Sequence, residues 1–394
     1  MTAPLEYDPF AYAVHEDPYP VYRRLRDEAP AYWNPRHRFW ALSRFVDVQR
    51  ALADHETYSS AGGVTLEGGS GHAPPMIIAM DPPRQTKLRR LISRAFTPRR
   101  VAEMEPHIRA LTRKHLAPLA ARGAGDFVQD FAARLPMDVI STMLGVPEAD
   151  QDMLRGWADA LLHREPGSGE VPAAGREGGA NLVRYFTATL RQRRERPGDD
   201  LVSALLAAEV DGERLSEPEI LGFCYLLAIA GNETTTKLLG NAIVLLDRHP
   251  DQRRLLIDDP AAIAGAVEEV LRFDASTQML ARVLTRDVEL HGERLRAGQK
   301  VLLLLGSGNR DERVFGPTAD RFDIRRRPDQ QLYFGHGVHS CLGAALARLE
   351  ARVALEEIHR RIPDYAVEHA RCVRVHSANV RGFAQVPIRF TAAA

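Results

Sequence analysis

The chain has 394 residues, 45% of them hydrophobic, with 52 basic and 52 acidic side chains. That is ordinary globular composition, long enough to enclose a sizeable ligand, and a net charge of zero argues against a nucleic-acid polyanion as the main partner. Three scattered cysteines, Cys224, Cys341 and Cys372, exclude a disulfide framework.

The amino-terminal MTAPLEYDPF has neither the basic nor the apolar region of a signal peptide. The longest uncharged stretch, 220–232, falls short of the roughly 20 residues of a membrane span. A cytoplasmic protein without a membrane partner is expected. No repeat or linker divides the sequence, so residues 1–394 are expected to form one domain.

Helical spacing dominates, predicting helices over 20–27, 101–119, 201–209, 216–248, 261–273 and 342–361. Strands are fewer: 39–42, 282–290, 300–305 and a carboxy-terminal pair, 373–376 and 385–390. The fold class expected is mainly α with smaller β-sheets (α+β). Two glycine- and proline-rich stretches, 60–75 (SAGGVTLEGGSGHAPP) and 164–181 (REPGSGEVPAAGREGGAN), read as long mobile loops of the kind that form lids or binding loops. Between them, 84–100 holds Arg84, Lys87, Arg89, Arg90, Arg94, Arg99 and Arg100 and no acidic residue. Lys87, Arg90 and Arg94 fall on one helical stripe opposite Leu88, Leu91, Ile92 and Ala95. A docking face and a merely solvated face both fit that stripe.

The helix over 216–248 opens on a capping box, Ser216 with Glu219 and a first-turn Pro218, and stops at His249-Pro250. Its first half, ILGFCYLLAIA, is apolar all round; then comes GNETTT, 231–236. A mid-helix glycine costs roughly 1 kcal/mol relative to alanine, and a carboxylate is costly if buried unpaired. Ala230 and Thr234 share a face, leaving room for something non-protein. The alternative is a polar helix centre at the surface, its threonines bonded to carbonyls four residues back.

Downstream, EEVLR sets Glu269 and Arg272 three apart, either a solvated pair or, among Val267, Val270, Leu271 and Phe273, a partly buried one. Arg321 in ADRFD is a candidate third charge. In FGHGVHSCLG, 334–343, glycines flank Cys341 and a helical run follows at once, so the thiol sits at a helix amino terminus that favours a thiolate. A nucleophile, a redox sensor, a metal ligand and a small buried hydrophobe are all open to such a cysteine. Zinc would want three or four Cys or His ligands, whereas haem iron accepts one axial thiolate.

The decapeptide resembles the haem-binding signature of the cytochrome P-450 family at every fixed position. AGNETT is similar to that family's oxygen-activation motif, EVLR to its Glu-x-x-Arg motif and ADRF to its third-charge motif, all in the family's order. MDPPRQTKLRR, 80–90, resembles the family's Asp-Pro-Pro-x-His-x-x-x-x-Arg region, with Gln85 where a histidine is usual. The resemblance runs over essentially the whole chain.

It implies the family's fold, with haem b between the long central helix and the cysteine loop. Cys341 would be the iron ligand and Phe334 would shield its sulfur, with Gly335 and Gly343 shaping the loop. Arg89, Arg282, His339 and, as a neutral donor, Gln85 would hold the propionates. Ala230 and Gly231 would open an oxygen pocket, Thr234 would donate to dioxygen and Glu233 would supply protons through water. Glu269, Arg272 and Arg321 would form a structural charge triad. Met76, Ile77, Ile78, Leu226, Leu227, Ala230, Met279, Leu280, Val380 and Phe383 would line an apolar substrate pocket, with 164–181 as lid.

The activity implied is a monooxygenase that hydroxylates or epoxidises a hydrophobic small molecule with O2. Two electrons would come from NAD(P)H through a ferredoxin and its reductase, the ferredoxin docking on the basic stripe. Dealkylation or oxidative coupling is the second reading, and a non-catalytic haem-thiolate sensor the third.

Overall fold

The computed structural model describes residues 4–66, 73–162, 170–210 and 212–392. Its principal helices are α1 (Phe45–Ala53), α2 (Arg84–Ala95), α3 (Leu135–Met143), α4 (Glu148–Leu162), α5 (Ala173–Glu195), α6 (Glu217–Arg248), α7 (Ile263–Phe273) and α8 (Ala344–Arg361). The main sheet takes β1 (Ala31–Asn34), β2 (Phe39–Leu42), β3 (Tyr58–Ser59), β4 (Leu280–Leu284) and β5 (Lys300–Leu303) in the order β1-β2-β5-β4-β3. Among the described residues no helix is long and apolar enough to cross a membrane.

Helix α6 is the axis of the molecule, and α3, α4, α5, α7 and α8 all pack on it. Its capping box forms as the sequence predicts: Glu219 Oε2 accepts from the Ser216 amide at 2.8 Å. Pro250 then starts a new helix instead of extending this one. Leu238, Leu239, Ile243 and Leu246 of α6 join Leu346, Val353, Leu355 and Ile358 of α8 in one large apolar core. A second core sits between α1 and the main sheet, around Trp40, Phe45, Val48 and Leu303. A third gathers Tyr7, Tyr22, Phe39 and Met279 near the amino terminus.

Several element boundaries differ from the sequence expectation. The helix expected over 101–119 breaks at Met104, where Pro106 opens a new first turn and Glu105–Arg122 follows. The strand expected over 282–290 is two strands, β4 pairing within the main sheet and Val288–Leu290 forming a hairpin with Glu293–Leu295. The carboxy-terminal pair is divided: Val373–Arg374 pairs with Phe383–Gln385, whereas Pro387–Arg389 pairs with Ala366–Val367 and Ala124–Asp126. The loop expected over 164–181 is helix from Ala173, where the buried Gly175, Gly178 and Gly179 let α5 lie close on α4. Residues 67–72 and 164–169 of the two proposed mobile loops lie outside the described residues.

Helix α8 carries one uncompensated acid. Glu350 is buried, its Oε2 has no hydrogen-bond partner among the described residues, and burial pushes the carboxyl up to about 8. A folded pKa above the unfolded one means the folded chain holds the extra proton, so this group costs stability as pH rises from about 4 to about 8. Glu350→Gln should therefore stabilise the protein by roughly 2–4 kcal/mol near pH 7 and by almost nothing near pH 4. Urea midpoints at the two pH values check this, and an equal gain at both would refute it.

Candidate active site

The cysteine loop is built by backbone bonds before any ligand enters. Leu332 accepts from the Gly335 amide at 2.8 Å and Phe334 from the Cys341 amide at 2.8 Å, and Gly337–His339 makes one 3-10 turn. Gly335 and Gly337 both have positive φ, and a Cβ on Gly337 would meet the Leu52 carbonyl of α1 at 2.9 Å. Only glycine suits that corner. The Phe334 ring lies under the Arg348 guanidinium, 4.5 Å from its centroid, and its carbonyl fixes the Cys341 backbone.

Cys341 is exposed as a residue, yet surrounding protein crowds its thiol enough to raise its pKa. The amides of Gly343 and Ala344 and the charges of Arg89 and Arg348 oppose that rise without cancelling it. Such a thiol stays protonated alone and is readily deprotonated by a bound metal cation.

Beside the loop lies a cluster of cationic and donor groups. Arg89 of α2 donates to Ser340 Oγ at 3.1 Å. Arg282 of β4, opposite Val301 in the sheet, is buried, and that burial lowers its pKa to about 10. His339 is lowered to about 4, chiefly by burial and then by Arg282, with Arg89 adding to the effect. Its buried Nε2 has no hydrogen-bond partner among the described residues. Two guanidinium groups near an imidazole whose Nε2 is left unpaired suit an anionic ligand. The propionates of haem b fit that chemistry, and the neighbouring sulfur fits its iron.

Gln85 stands beside that set. It is buried and its Nε2 donates to the Val338 carbonyl at 2.7 Å, so the carboxamide ties α2 to the cysteine loop.

On the other side, α6 presents Ala230 exposed within an otherwise largely buried stretch. Thr234 Oγ1 donates back to the Ala230 carbonyl at 2.8 Å, and Glu233 Oε1 lies 3.1 Å from Lys237 Nζ. Gly231 opens no pocket: a Cβ there would run into the Ile140 side chain of α3, so the glycine serves close helix packing. Of the proposed pocket residues, Met76, Ile78, Leu226, Leu227, Leu280 and Val380 are half-buried, and Ile77 is buried. Met279 is buried in the amino-terminal core, accepting from Tyr7 Oη at 3.8 Å, and with Val380 it borders a separate cavity of about 20 Å³. Phe383 is core as well, under the Arg374 guanidinium at 3.8 Å.

The Glu269–Arg272 pair is fully buried. Its third charge is Arg326, whose Nε lies 3.4 Å from Glu269 Oε1; Arg321 is exposed and contributes only its carbonyl, accepting from Arg272 at 3.0 Å. The basic stripe on α2 is partly neutralised: Lys87 pairs with Glu213 at 2.6 Å and Arg94 donates to the Glu209 carbonyl at 3.1 Å. Sequence reasoning missed Arg326 and Lys237. The second was readable as a cation one turn beyond Glu233.

Comparison with known proteins agrees with this geometry. The family model for cytochrome P450 matches residues 263–362. The Mycobacterium bovis protein named cytochrome P450 123 is 47% identical over 388 residues, 98% of this chain and 96% of that one. Vitamin D(3) 25-hydroxylase of Pseudonocardia autotrophica is 38% identical over 393 residues, 97% of this chain and 96% of that one. The structure of cytochrome P450 CYP109Q5 from Chondromyces apiculatus superposes with a TM-score of 0.91 at 37% identity, covering 99% of each chain. The chain belongs to the cytochrome P450 family and is a P450 monooxygenase, with haem as the cofactor that membership implies.

Proposed function

We propose that the protein inserts one oxygen atom from O2 into an apolar small molecule, by hydroxylation or epoxidation, with electrons from NAD(P)H delivered by a ferredoxin and its reductase. Haem b, ligated by Cys341, supplies the oxygen-activating redox chemistry when bound. The chain's own residues do the rest. Arg89, Arg282 and His339 hold the propionates, while Gln85 braces the loop through Val338. Leu226, Leu227, Ile78 and Leu280 give the substrate an apolar wall and exclude water.

The observation that carries this reading is the exposed Ala230 on the buried central helix, one turn from Thr234 and flanked by Glu233. Thr234 can turn its hydroxyl from the Ala230 carbonyl toward a ligand, and Glu233 can return the proton. The vitamin D(3) 25-hydroxylase relative supports a hydrophobic substrate. Arg90, Arg99 and Arg100 are exposed on this face, Arg99 beside Glu103 at 3.2 Å, and a basic face of this kind suits an acidic electron donor. On this face Arg90→Glu should slow reduction and weaken its salt dependence.

Soret-shift screening of a compound library identifies the ligand, and product analysis under NADPH with a surrogate ferredoxin system then separates oxygen insertion from dealkylation or coupling. Thr234→Ala is expected to preserve electron use while product per NADPH falls about tenfold. Unchanged coupling would remove the role given to its hydroxyl.

A further inference from the structure

Arg348, one turn into α8, has no part in the roles assigned above. Its guanidinium lies 4.5 Å from the Phe334 ring centroid, and the Phe334 carbonyl accepts from the Cys341 amide at 2.8 Å. One residue thus meets the cation with its ring and the cysteine with its backbone. Glu268 of α7 grips the same guanidinium with both oxygens, 2.6 Å from Nε and 2.9 Å from Nη2. A forked contact of this kind fixes orientation as well as distance.

The carboxylate is fixed in turn. Tyr333, buried, donates its hydroxyl to Glu268 Oε2 at 2.6 Å, and its ring meets Phe334 edge-on at 5.4 Å. Burial and then Glu268 raise the Tyr333 phenol above its ordinary value, so it remains a donor. The adjacent Glu269 turns instead to Arg272, so the two neighbouring acids serve different arginines. Arg89 and Arg348 both oppose the rise of the Cys341 thiol. Arg89 is taken up by Ser340 and the propionate cluster, whereas Arg348 answers only to an acid that partly cancels it. Their side chains are 39% and 27% accessible, so solvent and salt moderate the pair without abolishing it.

We propose that the Arg348–Glu268 pair tunes the reduction potential of the haem, the guanidinium drawing electron density from the Cys341 sulfur and the Tyr333-braced carboxylate limiting that pull. The proposal rests on the reading of Cys341 as iron ligand. Reduction adds one negative charge at the haem, which a nearby cation favours and a nearby carboxylate opposes. The two partners therefore act on the potential with opposite signs. A pair that only held α7 to α8 would give no such opposition.

The test is equilibrium spectroelectrochemistry of substrate-free holoenzyme without any electron-transfer protein, with variants compared at matched haem content. Arg348→Met keeps a side chain on the ring and removes the charge. It is expected to lower the ratio of reduced to oxidised haem about tenfold at a fixed poise, a fall of about 59 mV. Arg348→Lys should restore most of that ratio. Glu268→Gln should raise it about threefold, and every shift should shrink at about 1 M salt. Parent-like potential in Arg348→Met, or shifts of one sign in Arg348→Met and Glu268→Gln, would overturn the tuning while the sulfur-ligated carbonyl band still upholds Cys341. Should Arg348→Met not retain haem, Glu268→Gln decides alone, and a potential at or below the parent's would refute the proposal. If the parent itself lacks that band, the reading of Cys341 falls and the proposal falls with it.

Discussion

Replacing Cys341 by serine is expected to abolish turnover and to remove the red-displaced absorption of the reduced carbonyl complex, even in protein that retains haem. Only the sulfur changes. The Cys341 amide still reaches the Phe334 carbonyl, and the Gly335 amide still reaches Leu332. The loop therefore keeps its shape, and the unfolding midpoint of the haem-free protein should move by less than about 1 kcal/mol, as for an exposed substitution without a structural partner. A hydroxyl in the same place is far harder to deprotonate than a thiol and cannot push electron density onto iron as thiolate does. A serine variant that kept both the absorption band and product formation would refute the assignment of Cys341.

Glu269→Gln should destabilise the fold by about 3–5 kcal/mol, the cost of leaving a buried charge without its counter-ion. Arg272 spends all five of its N–H groups: two on Glu269 at 2.7 and 2.8 Å, and the others on the carbonyls of Asn309, Ala319 and Arg321. Asn309 in turn accepts from the Leu332 amide through Oδ1 at 2.9 Å, at the start of the cysteine loop. Loss of haem is thus expected alongside loss of stability. Denaturant midpoints and haem retention measure the two. Arg321→Ala, which removes no atom that Arg272 touches, should be nearly neutral, whereas Arg326→Ala removes a cation from Glu269 and should not. A neutral Glu269→Gln would show that the pair is dispensable.

How far the sequence could be read depended on the distance over which each choice is made. Ser216, Glu219 and Pro250 decide the ends of α6 within one turn, and those ends appear where the spacing put them. The glycines around Cys341 likewise state a local backbone requirement. Arg321 and Arg326 are five residues apart in one irregular segment, and which guanidinium turns toward Glu269 depends on how that segment returns to α7. Met279 and Phe383 are apolar, and residue type alone does not say which side of a strand meets a cavity and which a core. Gln85 could be seen as a departure, but its partner Val338 lies 253 residues away. Helix α5 was hidden because its glycine-rich start has poor intrinsic helicity, and packing on α4 supplies what propensity lacks.

Residues 15–16, near the start of the described chain, are riveted to residues 376–381 near its end. Arg381 bonds the buried Asp274 at 2.6 Å and reaches the backbone carbonyl of Glu16 at 3.2 Å, while His15 meets His376 at 3.1 Å. Peeling away the leading segment would remove Tyr19, which donates to Asp274 at 2.7 Å, from an interior carboxylate that Arg381 and Arg374 hold well below its usual range. Opening is therefore costly at the very place where most chains fray first.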